Sequence, residues 1–246
     1  MHILQLTLRI PFPLTDGGAQ AMYHLGQALH SAGHRLTVAA LNTRKHHQNP
    51  TVLSDYAQVV ATDLDTTPRL LPALWCEAFG ALPYNIARFQ SAAHAATLHG
   101  LLQCQTFDAI LLEGVYLAPY IPVLRAHSRA PVILRAHNVE YDIWAQYARY
   151  ERHPLRRWFF NRMARRGKAF ETQALKQFDG VAALTPQDAE AFRALGYDGP
   201  LAVIPAGAMP PPSDLPPVTA APQIGFLANM EWLPNVQGLE WFLQEV

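Results

Sequence analysis

The stretch that decides the fold is residues 132–141, which reads VILRAHNVEY. Its first part is a run of branched apolar residues, and its second part carries the polar side chains Arg135, His137, Asn138 and Glu140. Such an apolar run, opened by a proline, is typical of a strand that is buried on both faces of a parallel sheet. The sequence therefore predicts that this strand delivers polar groups at its carboxyl end, where open α/β sheets bind their ligands.

Short apolar runs and helical patterns alternate on either side of this strand. Further strands are predicted at 3–8, 36–41, 56–64, 107–113, 179–184 and 202–204. Helices are predicted from residue 17 to about residue 33, and over 70–80, 87–105 and 155–178. Strands and helices that alternate in this way indicate βαβ units. We therefore expect an α/β fold with a doubly wound, Rossmann-like parallel sheet over residues 1–205.

A proline-rich segment at 206–222 separates this region from the rest of the chain. Such a segment cannot join a sheet or a helix, so we interpret it as a connector. After it, 223–228 predicts a strand and 235–246 predicts a helix. One strand and one helix cannot enclose a core. We therefore expect residues 223–246 to be the truncated start of a second domain.

Composition excludes some classes of function. Lys+Arg and Asp+Glu are both 19, whereas a protein that binds nucleic acid should show a strongly basic balance. The two cysteines, Cys76 and Cys104, lack a CxxC spacing, which indicates a reducing cytoplasm and buried thiols. No apolar run reaches the roughly 20 residues that span a bilayer. Any membrane role is therefore expected to be peripheral.

The predicted helix over 155–178 is rich in arginine. Its apolar positions recur at helical spacing, and basic residues fill the other positions. Two interpretations stay open. The basic face is either simply solvated, or it contacts anionic lipid or a phosphorylated acceptor.

Two further features lie at predicted strand ends. Gly17 and Gly18 stand where the first helix should begin, so they either expose backbone N–H groups to an anion or form a tight turn with positive φ. Glu113 ends the strand at 107–113. It is either a pocket carboxylate or the partner of a backbone cap or an arginine. Thr185 and Pro186 have the pattern of a helix N-cap.

Several short motifs together resemble a known family. They are DGGAQ at 16–20, RAHNVEY at 135–141, FDGV at 178–181 ahead of Thr185 and Pro186, VIP at 203–205, IGF at 224–226 and WLPN at 232–235. Their order resembles the amino-terminal, acceptor-side half of a family 4 glycosyltransferase, a retaining enzyme with two Rossmann-like domains in the type B fold. The resemblance implies transfer of a sugar from a nucleotide donor to a hydroxyl acceptor with retention, and neither metal nor cofactor.

The resemblance also implies roles for individual residues. Gly17 and Gly18 match the glycine loop near the donor diphosphate and the acceptor. His137 matches the histidine beside the donor sugar, where a neutral imidazole can hydrogen-bond a hydroxyl and polarise the anomeric region. The alternative is a core histidine bonded to backbone.

Four more residues, Glu113, Arg135, Asn138 and Glu140, are expected to bind substrate. For Glu140 we also consider a role in orienting the loop, with Arg135 as its ion-pair partner.

The sequence departs from the family pattern at two places. Ala206 precedes Gly207 where the family has Asn-Gly, and Ala228 replaces an expected glycine. The residues that bind donor phosphate and ribose in this family lie further along the second domain. We therefore expect the chain to be inactive alone. The partners expected are a nucleotide-sugar donor and a glycan or lipid-linked acceptor.

The setting expected is polysaccharide biosynthesis in the cytoplasm, with contact to the inner face of the membrane as an open alternative. Two alternative functions also stay open. One is a non-catalytic binding or regulatory module, and the other is a different sugar-nucleotide enzyme on the same scaffold, such as a 2-epimerase.

Overall fold

A sheet of seven parallel strands, in the order β3-β2-β1-β4-β5-β6-β7, organises the described part of this computed structural model. The structure describes residues 1–207, 224–228, 230 and 233–246. The strands are β1 (His2–Thr7), β2 (Arg35–Thr43), β3 (Gln58–Leu64), β4 (Ala109–Glu113), β5 (Val132–Ala136), β6 (Gly180–Ala183) and β7 (Leu201–Val203). The strand order reverses between β1 and β4, which makes their carboxyl ends the topological switch point of the sheet.

Helices connect the strands and cover both faces of the sheet. They are α1 (Gly17–Ser31), α2 (Leu70–Phe79), α3 (Tyr84–Ala87), α4 (Ala92–Cys104), α5 (Ile121–His127), α6 (Glu140–Tyr150), α7 (Pro154–Leu175) and α8 (Pro186–Ala194). A further helix, α9 (Leu233–Glu245), follows later in the chain. Short 3₁₀ turns lie at Arg44–His46, Pro50–Leu53 and Val115–Tyr120. The doubly wound parallel sheet predicted from the sequence is confirmed.

The core lies on both sides of the sheet because the central strands alternate their side chains between two apolar clusters. In β1, Leu4 and Leu6 belong to one cluster, whereas Ile3 belongs to the other. Successive side chains of a strand point to opposite faces, so every residue of β1 is buried. This double burial explains why the strands read as continuous apolar runs instead of alternating patterns.

Some helix boundaries differ from those predicted. The helix predicted over 87–105 is α4, which begins only at Ala92, because Ser91 caps its start by accepting a hydrogen bond from the His94 N–H at 3.2 Å. Helix α6 was not predicted at all. In α7, Met163 is buried but Leu155 is 72% exposed, so the apolar stripe packs on the core only along its later turns.

The N-cap at Thr185 is formed as predicted, and its side chain accepts from the Asp188 N–H at 3.1 Å. Both cysteines are free, as expected. The expectation of two buried thiols was wrong, however. Cys104 is exposed because it lies in the last turn of α4, and Cys76 is only partly buried.

The contacts divide the chain into two compact units, Met1–Gly207 and Ala208–Val246. In the second unit, the predicted helix is present as α9. The predicted strand over 223–228 was wrong, since residues 224–228 have no regular structure. A strand needs a hydrogen-bonded neighbour, and the described part of this unit contains no other strand. Residues 208–222 of the predicted connector lie outside the described residues.

Two arginines of the predicted basic face anchor the end of α2. The guanidinium of Arg166 donates to the carbonyls of Cys76, Gly80 and Leu82 at 2.9, 2.6 and 2.9 Å. Arg162 Nε donates to the Glu77 carbonyl at 2.7 Å. The last carbonyls of a helix have no partner within it, so these arginines satisfy the carboxyl end of α2. They are therefore structural contacts and not part of a freely solvated face.

Candidate functional site

The site is built around Glu113, the last residue of β4. Its carboxylate accepts hydrogen bonds from Gln5 Nε2 at 2.6 Å, from Arg135 Nη1 at 3.1 Å and from His137 Nε2 at 2.6 Å. Gln5 lies on β1, and Arg135 and His137 lie on and just after β5, so the two strands beside β4 supply all three donors. Because Glu113 is only 3% exposed, its carboxylate depends on these donors in place of water.

The three donors keep Glu113 ionised. Burial alone would raise the pKa of Glu113, but the hydrogen bond from His137 and the charge of Arg135 outweigh it and hold this pKa below its ordinary value. An ionised carboxylate can only accept hydrogen bonds, so Nε2 of His137 must carry a hydrogen. The Nδ1 atom is then the ring nitrogen of His137 that remains for another partner.

Arg135 does not pair with Glu140, and that expectation was wrong. It pairs with Glu113 because the register sets the two residues side by side on neighbouring strands. Arg135 is 3% exposed, and it is not among the residues that line the cleft described below. It therefore lies beneath the site and holds the Glu113 carboxylate in place.

Glu140, the first residue of α6, belongs to a second group of polar contacts. It accepts a hydrogen bond from the Tyr116 hydroxyl at 2.5 Å and one from the side chain of Asn138. Burial raises the pKa of Glu140 above its ordinary value, against the effect of these two donors. Asn138 itself is exposed. Glu140 thus contacts the loop residue Asn138 and also lines the cleft described below.

Glu171 fixes the start of α6 from the neighbouring helix α7. Its carboxyl group accepts from the backbone N–H groups of Glu140 and Tyr141 at 3.3 and 3.2 Å. Burial raises the pKa of Glu171 to about 7. The loop that carries His137 is thus held at one end by β5 and at the other by this cap. Sequence reasoning missed Glu171, whose only signal was an acidic residue on the buried side of a predicted helix.

The site opens into a cleft of about 650 Å³. Four of the seven residues predicted for the site line it, namely Gly18, Glu113, His137 and Glu140, whereas Gly17, Arg135 and Asn138 do not. The other lining residues are Leu8, Arg9, Met22, Thr43, Lys45, His46, Thr66, Thr67, Pro68, Arg88, Phe89, Gly114 and Tyr116. A cleft at the switch point of a doubly wound sheet is the expected place for a ligand.

The glycines at the start of α1 allow close approach, but the amide of Gly18 already has a partner. Asp16 is the N-cap, and its carboxylate accepts from the N–H of Ala19 at 3.0 Å and from that of Gly18. Arg9 forms an ion pair with the same carboxylate. Neither Gly17 nor Gly18 has positive φ, so the alternative of a left-handed turn was wrong. Positive φ occurs instead at Gly114, directly after Glu113, where the chain turns away from the sheet.

The part of the chain that the structure describes contains no cluster of three or more His, Cys, Asp and Glu side chains that could hold a metal ion. The carboxylates near the cleft have other partners. Glu113 is bound by three side chains, and Glu171 caps α6.

Comparisons with known proteins give one family and a set of similar folds. Residues 16–207 match the glycosyl transferase 4-like domain family. No curated protein matches the sequence. Among solved structures, sucrose-phosphate synthase from Thermosynechococcus elongatus has a TM-score of 0.53 at 18% identity, over 85% of this chain and 49% of that one. Phytolacca americana UGT2, complexed with UDP-2-fluoro-glucose and pterostilbene, has a TM-score of 0.50 at 11% identity, over 82% and 53%.

The chain thus spans about half the length of these solved structures. At such identities the likeness shows the fold alone, which is the Rossmann-like domain of proteins with the type B fold. The match to the family covers most of the first unit, including every residue that holds Glu113 except Gln5.

Proposed function

Because the chain belongs to the glycosyl transferase 4-like family, we propose that it is the acceptor-side half of an enzyme that transfers a sugar from a nucleotide donor to a hydroxyl acceptor with retention. The observation that carries the proposal is the hydrogen-bonded pair of Glu113 and His137, which lies at the switch point of the sheet and opens into the cleft. A nucleotide-sugar donor is supported by the UDP-2-fluoro-glucose bound to UGT2.

His137 is the catalytic residue of this proposal. With its Nε2–H donated to Glu113, a neutral imidazole offers Nδ1 to a hydroxyl of the donor sugar. The buried carboxylate of Glu113 lies behind the imidazole ring and stabilises positive charge on that side of the cleft. Such a preorganised group suits a site where positive charge develops at the anomeric carbon. Glu113 and Arg135 then position His137, while Gly18, Asn138 and Glu140 shape the wall and loop around the substrate. We propose no cofactor, because the nucleotide sugar is itself a substrate.

The proposal is tested by following transfer directly. In the complete enzyme, we expect a nucleotide sugar and a hydroxyl acceptor to give a product with the anomeric configuration of the donor, measured by proton NMR couplings. The 246-residue chain should give no product, because the groups that bind donor phosphate are proposed to lie in the second domain. An inverted product, or turnover by this chain alone, would show that the mechanism proposed here is wrong.

The same experiment separates the alternative functions. A 2-epimerase would change the sugar of the nucleotide donor without any acceptor, and a binding or regulatory module would leave the donor unchanged. The match to the glycosyl transferase 4-like family is what favours the transferase over both alternatives.

We also propose peripheral contact with a membrane, as part of polysaccharide synthesis in the cytoplasm. None of the helices within the described ranges is long and apolar enough to cross a bilayer. Helix α2, however, exposes five large apolar side chains, each by 45% or more: Leu70, Leu71, Leu74, Trp75 and Phe79. A soluble protein seldom leaves so many large apolar residues of one short helix uncovered.

Helix α7 extends this apolar surface and adds positive charge. Leu155 and Trp158 are exposed, and they lie on the same side of α7 as the arginines that contact α2, since residues three or four apart share a helix face. Arg156 and Arg157 are exposed in the same turns. Aromatic and apolar groups next to arginines suit the interface of an anionic bilayer.

Vesicle sedimentation tests this surface. We expect the chain to sediment with phosphatidylglycerol vesicles and much less with phosphatidylcholine vesicles. Each basic residue near an anionic surface adds about 1 kcal/mol to the free energy of binding. The double variant Trp75→Ser, Phe79→Ser should lose most of this binding, and Arg156→Gln with Arg157→Gln should lose part of it. The control Arg129→Gln removes an exposed arginine from another loop. Equal binding by all four proteins would contradict the proposed surface.

A further inference from the structure

The start of α6 depends on a carboxyl group that a neighbouring helix supplies. Val139 is the N-cap residue of α6, and its side chain makes no capping hydrogen bond. Glu171 on α7 takes that place. Its Oε1 accepts from the N–H of Glu140 at 3.3 Å, and its Oε2 accepts from the N–H of Tyr141 at 3.2 Å. The first N–H groups of a helix have no partner within it, so Glu171 satisfies two donors that would otherwise be unpaired.

The start of α6 is also one end of the loop that carries His137. Strand β5 ends at Ala136 and α6 begins at Glu140, so the loop consists of residues 137–139. Within it, the Asn138 side chain donates to the carboxyl group of Glu140. A connection this short leaves His137 little freedom once both of its ends are fixed, and a reacting group needs to be held closely.

The charged form of Glu171 is the better cap. A carboxylate accepts with both oxygens, whereas the neutral acid carries a hydrogen on one of them, and that oxygen becomes a donor. A negative charge at the start of a helix also gains from the helix dipole. We propose that Glu171 is a positioning residue of the transferase, whose charged form aligns His137 and whose neutral form releases one of the two N–H groups. The inference rests on the proposed function and adds a residue to its machinery.

The surroundings of Glu171 oppose this charge. The residue is 1% exposed, so its carboxyl group is cut off from water. Glu140 and Asp142, both in the first turn of α6, add negative charge beside it. Burial, and then these two charges, outweigh the N–H donors and raise the pKa of Glu171 to about 7. The cap therefore changes between its neutral and its charged form close to neutral pH.

Other charged and titratable groups on the packed elements are engaged elsewhere. In the 3₁₀ turn after β4, the Tyr116 hydroxyl donates to Glu140. Lys168, one turn earlier on α7, has its ammonium group 5.3 Å from the centre of the Tyr141 ring. Arg166, also on α7, pairs with a carboxylate of α2 at 2.9 Å. The charges that act on the cap are therefore those of the two acidic residues of α6.

Amide proton NMR of the 246-residue chain tests the contact itself. The shift of an N–H proton depends on the strength of its hydrogen bond, so the signals of Glu140 and Tyr141 should change between about pH 6 and about pH 8. Glu171→Gln keeps the size of the side chain but stays uncharged, and it should remove this transition. The control Glu190→Gln, on the exposed side of α8, should keep it. The other amide signals report whether each variant is folded.

A second variant keeps Glu171 in place. Asp142 is exposed, and its negative charge helps to raise the pKa of Glu171. Asp142→Asn should therefore move the midpoint of the transition to lower pH. The contact is assigned wrongly if the unchanged chain shows no transition, if the transition persists in Glu171→Gln, or if Asp142→Asn leaves its midpoint where it was.

Turnover of the complete enzyme tests the positioning role. At about pH 6 the carboxyl group of Glu171 is mostly neutral and resembles the glutamine, so Glu171→Gln should be slower than the unchanged enzyme by only about twofold. At about pH 8 it should be slower by about tenfold, in line with the loss of one charge-assisted hydrogen bond. A cap that served the fold alone would lower turnover by the same factor at both pH values. The ratio of the two rates at each pH is therefore the readout.

The outcomes distinguish this inference from the proposed function. A ratio that grows with pH, together with the amide transition, supports the positioning role of Glu171. A constant ratio overturns that role while sugar transfer itself leaves the proposed function standing. If the unchanged complete enzyme transfers no sugar, the proposed function fails, and the role of Glu171 fails with it.

Discussion

In the complete enzyme, His137→Ala is expected to lower turnover by about a hundredfold or more, the range found when one preorganised transition-state hydrogen-bond donor or acceptor is removed. The imidazole is fixed by the 2.6 Å hydrogen bond to Glu113, so its free nitrogen is aimed before substrate arrives. The effect should fall mainly on kcat, because the residue acts on the reacting sugar more than on the rest of the donor.

The fold should survive this change. Glu113 keeps the hydrogen bonds from Gln5 and Arg135, so the loss in unfolding free energy is expected to be about 1–2 kcal/mol. The matched control is His127→Ala, which removes an exposed histidine at the end of α5. Normal turnover by His137→Ala, measured with initial rates at saturating donor, would remove His137 from the mechanism.

The second large effect concerns stability. Glu113→Ala is expected to lower the free energy of unfolding by about 3–5 kcal/mol, because it leaves the charge of Arg135 buried and unpaired. The double variant Glu113→Ala, Arg135→Met should recover much of this loss, since it removes both charges. Urea unfolding of the 246-residue chain measures the free energy of unfolding of the single and the double variant. The control is Glu190→Ala, on the exposed side of α8.

The pH dependence of the free energy of unfolding gives a further check on the ion pair of Glu113 and Arg135. The pKa of Glu113 is lower in the folded chain than its ordinary value of 4.5, so its stabilisation is present at neutral pH and is lost as pH falls below that value. Glu113→Gln should therefore lose less stability on acidification than the unchanged chain. If the single and double variants at Glu113 and Arg135 were equally unstable, the ion pair would not be the reason for the loss.

The sequence was sufficient to predict the sheet and part of the site. Strong apolar runs predicted the strands, and the carboxyl ends of parallel strands share one edge, so Glu113 and His137 could be placed together from residues that lie 24 positions apart. The partner of Arg135 could not be predicted in this way. That partner depends on the register between β4 and β5, which places Glu113 beside Arg135. Glu140 instead accepts a hydrogen bond from the Tyr116 hydroxyl.

Other contacts were missed because they join distant segments through side chains with no local pattern. Glu171 reaches the start of α6 from 30 residues away, and Gln5 reaches Glu113 across 108 residues. The failed strand prediction at 223–228 has a related cause. An apolar run predicts a strand only when neighbours exist to pair with it, and pairing is a property of the whole sheet.

The position of α7 has a mechanical consequence. Arg166 holds the carboxyl end of α2, and Glu171 caps the start of α6 beside the His137 loop. These residues are five positions apart on one continuous helix, a rise of about 7.5 Å, so they move as a rigid piece. If α2 contacts a membrane as proposed, a displacement of α7 that follows this contact would also displace the Glu171 carboxyl group, which caps the start of α6 beside the His137 loop. The proposed surface attachment and the proposed alignment of His137 would then be coupled through a single helix.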